Sequence, residues 1–166
     1  DVAVFIDQGK ERLESILVPY AGNIHDDLAL AIALRLLVNI DVAVLLILQM
    51  RNGQTESELS YEFSNILEQM PQNVCDRINI KTIEAPQSIH AVVEASASVD
   101  LTIAGTSRAW GIERQTLGRY TDQLANQCKS SLLITRRHTQ VTTHLSSIMP
   151  QTNSAAIDSN QFSPEQ

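Results

Sequence analysis

The sequence predicts an α/β fold: an open, mostly parallel five-stranded sheet with helices on both faces, Rossmann-like in layout, plus one extra strand at the N-terminus. Three observations carry this expectation. Short β-branched and aliphatic runs alternate with segments whose apolar residues repeat at helical spacing, the pattern of successive strand–helix–strand units. Val42 to Leu48 (VAVLLIL) is apolar without a break, as a strand covered on both faces requires. The chain of 166 residues and 18.3 kDa is also one domain's worth, able to bury roughly 70% of its unfolded surface without disulfides or metal.

The elements follow in order. Val2-Ala-Val-Phe-Ile6 reads as a short strand, and Asp7 to Glu14 as a polar connector, so residues 1–14 form a separate N-terminal piece. Ser15 to Tyr20 (SILVPY) reads as a buried strand that ends where Pro19 removes a ladder donor. Asn23 is an N-cap candidate, with Asp26 three places on to close a capping box and favour the helix's positive end. Ala29, Ala33, Leu36 and Leu37, widened by Leu30 and Leu34, then place a well-buried helix up to Asn39.

After the apolar strand at 42–48, Arg51-Asn-Gly53 supplies a turn. Leu59, Phe63, Ile66, Leu67 and Met70 form the stripe of a helix ending before Pro71. Ile78 to Ile83 alternates as a strand does, Pro86 to Ser98 reads as a helix, and Leu101 to Ala104 as a strand. A Gly/Arg loop spans Gly105 to Gly118. Tyr120, Leu124 and Cys128 share one side of a further helix, and Ser131 to Thr135 is the last strand. Of the 28 residues 139–166, 15 are Ser, Thr, Asn or Gln, too little apolar surface to offset ordering entropy, so 138–166 reads as a mobile tail.

Composition excludes several functions. A net charge of −7 and a pI near 5.0 argue against nucleic acid as a partner, because cationic surface supplies that affinity. Cys75 and Cys128 show no pairing or zinc spacing, and the four histidines have no metal-ligand spacing either. The longest apolar run is far short of the ~20 residues of a membrane span, and no signal peptide is visible. The chain begins at Asp1 rather than Met, which is expected of a piece of something longer. Ser107 lacks a nucleophile-elbow setting and no Walker lysine follows a glycine loop, so no enzyme activity is expected.

Charge is uneven. Residues 105–137 carry six basic residues (Arg108, Arg114, Arg119, Lys129, Arg136, Arg137) against Glu113 and Asp122, a local balance of +4 in an acidic protein. Such a segment suits an anion-binding or partner-binding face, the alternative being internal pairing with the acidic remainder. In an open parallel sheet, ligands bind beyond the carboxyl ends of the strands where strand order reverses. Two segments meet at such a place: Val18-Pro-Tyr-Ala-Gly22, and Gly105-Thr-Ser-Arg-Ala-Trp-Gly111 continuing to Leu117-Gly-Arg119.

The strand–helix order, the opening ILVPYAG and the stretch IAGTSRAWGIERQTLGRYTDQLANQCKSSLLITR resemble a universal stress protein domain over residues 15–137. The resemblance is closer to the domains appended on the cytosolic side of sodium or potassium/proton antiporters, in which a strand like VAVFID and a polar connector precede ILVPY. ATP-binding members carry an Asp after the first strand and the pattern G-x-x-G-x9-G-[ST]. Gly105 and Gly118 match the first and third glycines; Arg108 replaces the second, Arg119 the Ser/Thr, and Ala21 the Asp. The ligand-binding positions that the resemblance implies are Pro19, Tyr20, Ala21, Gly105, Thr106, Ser107, Arg108, Gly118, Arg119 and Tyr120.

The departures share a direction. Arg108 and Arg119 set two guanidinium groups where the family holds phosphates, and Arg matches phosphate oxygens in bidentate fashion. Arg119 near a helix start opposes the macrodipole by ~0.3–1 kcal/mol, a cost that a bound anion relieves, unless Asp122 or Glu113 already does so. AMP, ATP or cyclic di-AMP are the expected ligands. Tyr20 and Trp110 are candidates to stack on a base or, alternatively, packing residues.

The expected function is a non-catalytic regulatory domain on the cytoplasmic face of a membrane cation/proton antiporter, its membrane-embedded part lying in the same polypeptide. A free-standing stress protein binding ATP or AMP, and a dimerisation domain with an empty pocket, are the alternatives. A homodimer is expected through Ser131 to Ile134, read as an apolar outer strand.

Overall fold

The computed structural model describes residues 1–51, 65, 68, 70–84, 88–106 and 119–138. The expected helix at 59–70 and turn at 51–53 lie mostly outside these residues, and the loop at 107–118 and the tail at 139–166 wholly so. The strands are β1 (Val2–Ile6), β2 (Ser15–Tyr20), β3 (Val44–Arg51), β4 (Ile78–Glu84), β5 (Leu101–Gly105) and β6 (Ser131–Arg136). The helices are α1 (Ile24–Asn39), α2 (Gln72–Cys75), α3 (Ser88–Ser96) and α4 (Arg119–Gln127).

The strands form one sheet in the order β1-β6-β5-β2-β3-β4. All neighbours are parallel except β1, which runs antiparallel to β6. This is the expected five-stranded parallel sheet with its additional N-terminal strand.

Two cores flank the sheet, and consecutive residues of a strand serve opposite ones because a strand alternates sides every residue. Ile16, Val18 and Tyr20 of β2 pack with Ala29, Ala33 and Leu37 of α1. Leu17 between them packs on the far side with Val92 of α3 and Leu124 of α4. Leu37 and Leu124 are fully buried, each removing enough apolar surface to contribute roughly 1.5–3 kcal/mol. α1 starts as its sequence expects: Asn23 Oδ1 accepts from the amides of His25 (2.9 Å) and Asp26 (3.1 Å). Asp26 reaches back to Asn23 as expected, its carboxylate accepting from both the backbone and the side chain of that residue. That carboxylate also turns inward, as described below.

β2 spans Ser15–Tyr20 as expected and pairs with β3 through Tyr20↔Gln49. Pro19 brings no amide donor, but the ladder to β5 has already ended after Leu17↔Thr102. One expectation needs correction: the segment Ser131 to Ile134 is not an outer strand. β1 lies along it in register from Val2↔Arg136 to Ile6↔Leu132, so the polar backbone row of that edge is already taken. Side chains fasten both ends of β1: Asp1 accepts from the His138 amide (2.8 Å), while Ser131 Oγ donates to Asp7 (3.2 Å) and accepts from the Gln8 amide (3.1 Å).

The amino end of β2 is held by Asp100. One carboxylate oxygen accepts from the amides of Glu14 and Ser15 (both 3.0 Å) and from the Ser15 hydroxyl (2.9 Å). Burial opposes its ionisation, but these hydrogen bonds and the charge of Lys10 outweigh it and hold the carboxyl below its ordinary range. Among the described residues, no helix is long and apolar enough to cross a membrane.

Candidate functional site

The strand order reverses between β2 and β5. These strands pair only at Ile16↔Leu101 and Leu17↔Thr102, then separate. Each remains paired on its other side, β2 as far as Tyr20↔Gln49 and β5 as far as Gly105↔Thr135. The sheet therefore splits at its carboxyl end, opening a crevice at the place where α/β folds hold ligands.

The first turn of α1 closes over this crevice, and Gly105 allows it to approach. A Cβ at position 105 would lie 2.6 Å from both the Asp26 amide nitrogen and the His25 carbonyl carbon, and closer still to the Asp26 carboxylate. The carboxylate itself, on a residue 5% exposed, accepts from the Ala21 amide (2.9 Å) and from Asn23 Nδ2 (2.6 Å). Burial is the largest influence on it and pushes its pKa up to about 6; the hydrogen bonds from Ala21 and Asn23 oppose that rise and the neighbouring Asp27 adds to it. Position 21 thus lacks an acidic side chain, yet its amide meets a carboxylate supplied from one turn into the helix.

Asp26 was legible as a cap but not as a crevice group. The signal was available: 26, 29, 33 and 37 fall on one helical stripe, so Asp26 continues the buried face of Ala29, Ala33 and Leu37. A second acid at Asp27 already serves the helix dipole from the exposed side.

Around this carboxylate the expected residues divide. Pro19 and Tyr20 are buried, and Tyr20 donates its hydroxyl to Asp27 (2.9 Å) while its ring joins the core, so of its two expected roles the structure gives it packing. Tyr20 and Asp27 also line a cavity of about 550 Å³ floored by Leu30, Ala31 and Leu34, with Arg137 at its rim. Thr106 is 3% exposed; its amide donates to Thr135 (2.9 Å), but among the described residues its hydroxyl has no hydrogen-bond partner. Gln49, beside Tyr20 on β3 and 5% exposed, likewise has an unpartnered side-chain nitrogen and was not anticipated. Leaving such buried groups unsatisfied costs ~1–3 kcal/mol each, which a bound molecule would offset.

Tyr120 leads into α4 with its hydroxyl 4.0 Å from the Met50 sulfur. Burial, aided by the charge of Asp26, pushes its phenol upward and keeps it neutral. Arg119 is the first residue of α4 and is exposed. Ser107, Arg108 and Gly118 lie outside the described residues. Arg136 and Arg137, at the carboxyl end of β6, add cationic charge at the same end of the sheet. The Arg137 amide donates to His25 Nδ1 (3.2 Å), and burial together with Arg136 lowers the His25 pKa. Among the described residues, the site is therefore a buried carboxylate and the unpaired Thr106 hydroxyl, with arginines standing outside them.

The fold is similar to that of solved universal stress proteins. Similar structures include the universal stress protein UspA from Lactobacillus plantarum (16% identity, TM-score 0.53, covering 75% of this chain and 99% of that one). A universal stress protein solved in complex with cAMP is similar at 18% identity and TM-score 0.57, over 74% of this chain and 96% of that one. A third, from Archaeoglobus fulgidus, has 15% identity and TM-score 0.56 over 75% of this chain, which spans 44% of its length. No protein-family model matches the sequence, and no curated protein does.

Proposed function

We propose that this chain is a non-catalytic sensory domain that binds an adenine nucleotide (AMP, ATP or a cyclic form) in the β2–β5 crevice. The observation that carries this reading is the split in the sheet, with the buried Thr106 hydroxyl, unpartnered among the described residues, just past the end of β5. Arg119, Arg136 and Arg137 at the same end suit an anionic ligand. The similar stress protein bound to cAMP supports the ligand class. Calorimetry with ATP, AMP and cyclic di-AMP tests it: micromolar binding that weakens in Arg119→Ala is expected, and an absence of heat with every nucleotide would overturn it.

The domain's setting is proposed to be the cytosolic side of a membrane cation/proton antiporter. Support comes from the order of VAVFID, polar connector and ILVPY. Nucleotide binding in such a domain would bias transport by its differential affinity for two states. A free-standing stress protein binding ATP or AMP is the second reading, supported equally by the fold. The coding sequence separates them, since only the first continues upstream into a series of hydrophobic spans.

A homodimer is proposed through the edge that β1 now occupies. Val2, Val4 and Phe5 are exposed there, without the charge that blunts most sheet edges, whereas the opposite edge, β4, carries Lys81 and Glu84.

A further inference from the structure

We propose that Asp26 makes the crevice a proton-linked anion site, which accepts a nucleotide phosphate together with a proton on the Asp26 carboxylate. The inference rests on the nucleotide reading above and adds its regulation.

The geometry leaves an entering phosphate little choice. The Asp26 carboxylate lies between the end of β2 and the end of β5, held by the Ala21 amide and Asn23 and packed against Gly105. It already occupies donors of the turn before α1, while Asn23 Oδ1 takes the amides of His25 and Asp26, so the groups an anion would otherwise use are engaged. Among the described residues, each element around Asp26 can be checked for charge. β2 contributes Tyr20, whose hydroxyl is engaged by Asp27. α1 contributes Asp27 and His25, and β5 contributes Gly105 and Thr106, which carry no charge. α4 contributes Arg119 and the neutral Tyr120. β6 contributes Arg136 and Arg137, on the His25 side. No described cation forms an ion pair with Asp26, so among the described residues its ionised form is balanced by hydrogen bonds and the helix terminus alone.

A phosphate brought beside this carboxylate adds a like charge at a site screened from water, where repulsion is strong. Linkage then works in both directions: an anion favours the protonated carboxyl, and the proton strengthens anion binding by the same factor. Burial already places the carboxyl's titration at about 6, within reach of ordinary pH changes. The protonated group retains an oxygen to accept from Ala21 and Asn23. The change is therefore one of charge, not of fold.

The test uses cAMP with the full 166-residue chain, because its phosphodiester holds one constant charge where a phosphomonoester itself titrates near pH ~6. Calorimetry from about pH 5.5 to about pH 8, in buffers of different ionisation heat, gives affinity and proton uptake together. The expected result is affinity falling by up to ~10-fold per pH unit above the crossover, with close to one proton taken up per ligand. Asp26→Asn, which keeps an acceptor for Ala21, is expected to bind at high pH as tightly as the native chain at low pH, with no slope. His25→Gln is expected to keep the slope.

Binding of cAMP with no pH dependence and no proton uptake in the native chain would overturn the linkage and leave the nucleotide reading standing. A slope that persists in Asp26→Asn, or disappears in His25→Gln, would assign the proton to another group and overturn it as well. No binding at any pH would overturn the nucleotide reading, and this inference with it. The proton count on the native chain needs no variant to fold.

Discussion

Asp26 and Gly105 meet at the mouth of the crevice: the carboxylate from α1 occupies the space that any side chain at the end of β5 would need. The absence of a Cβ on one residue lets the other be buried, and both sit where the sheet splits.

Gly105→Ala is therefore expected to destabilise the fold by roughly 1–3 kcal/mol, the usual cost of overpacking. The new methyl would meet backbone atoms of His25 and Asp26 as well as the carboxylate, so shortening Asp26 in the same chain should not restore stability. Urea unfolding of the single and double variants measures this. Full rescue by Asp26→Ala would mean that the backbone clash is absent.

The sequence made the strands legible but not their edges. Short, mainly apolar runs marked β2, β3, β5 and β6 because both their faces are covered, and Ile16-Leu17-Val18 needs a core on each side. That β1 returns along β6 is a pairing across nearly the whole chain, and local periodicity carries no information about it. In the site, Gly105 was legible because glycine has few roles at a strand end. Asp26 was read only as a cap, since acids at a helix start already have a sufficient explanation. Gln49 and Thr106 carry no pattern of their own; only burial without partners distinguishes them.

Stability should depend on Asp26 with a definite sign. Its pKa is about 6 when folded against an ordinary 3.8, so between these values the folded chain holds a proton that the unfolded chain has released. Stability is expected to fall as pH rises through that window, by roughly 3 kcal/mol in total, and to level off above it. Asp26→Asn should flatten this segment and exceed the native chain in stability at neutral pH. Denaturant midpoints across the range decide it, and a less stable Asp26→Asn at neutral pH would count against the account.

Asp100 should act in the opposite sense. Its carboxyl is held below the ordinary range, so its contribution is present above the unfolded value and is lost as pH falls through the folded one. Asp100→Ala leaves the Glu14 and Ser15 amides without their acceptor and is expected to cost about 1–3 kcal/mol near neutral pH. The deficit should shrink in acid. Thermal unfolding across the acid range would reveal a deficit that stays constant, if Asp100 acts by packing alone.

The β1 edge offers a further test. Val4→Lys places a charge in the centre of the exposed apolar edge without touching the core. Sedimentation equilibrium is expected to show a native dimer that becomes monomeric in this variant with unchanged circular dichroism. A dimer of unchanged strength would move the interface elsewhere.

The central claim is that a nucleotide enters the split between β2 and β5. Amide chemical-shift mapping tests it most directly, with the isotopically labelled chain titrated with ATP, AMP, cyclic di-AMP and cAMP. Shifts centred on Ala21, Asp26, Gly105, Thr106 and Arg119 are the expected result. Shifts confined to the Leu30–Leu34 cavity or to β4, or none with any nucleotide, would contradict it.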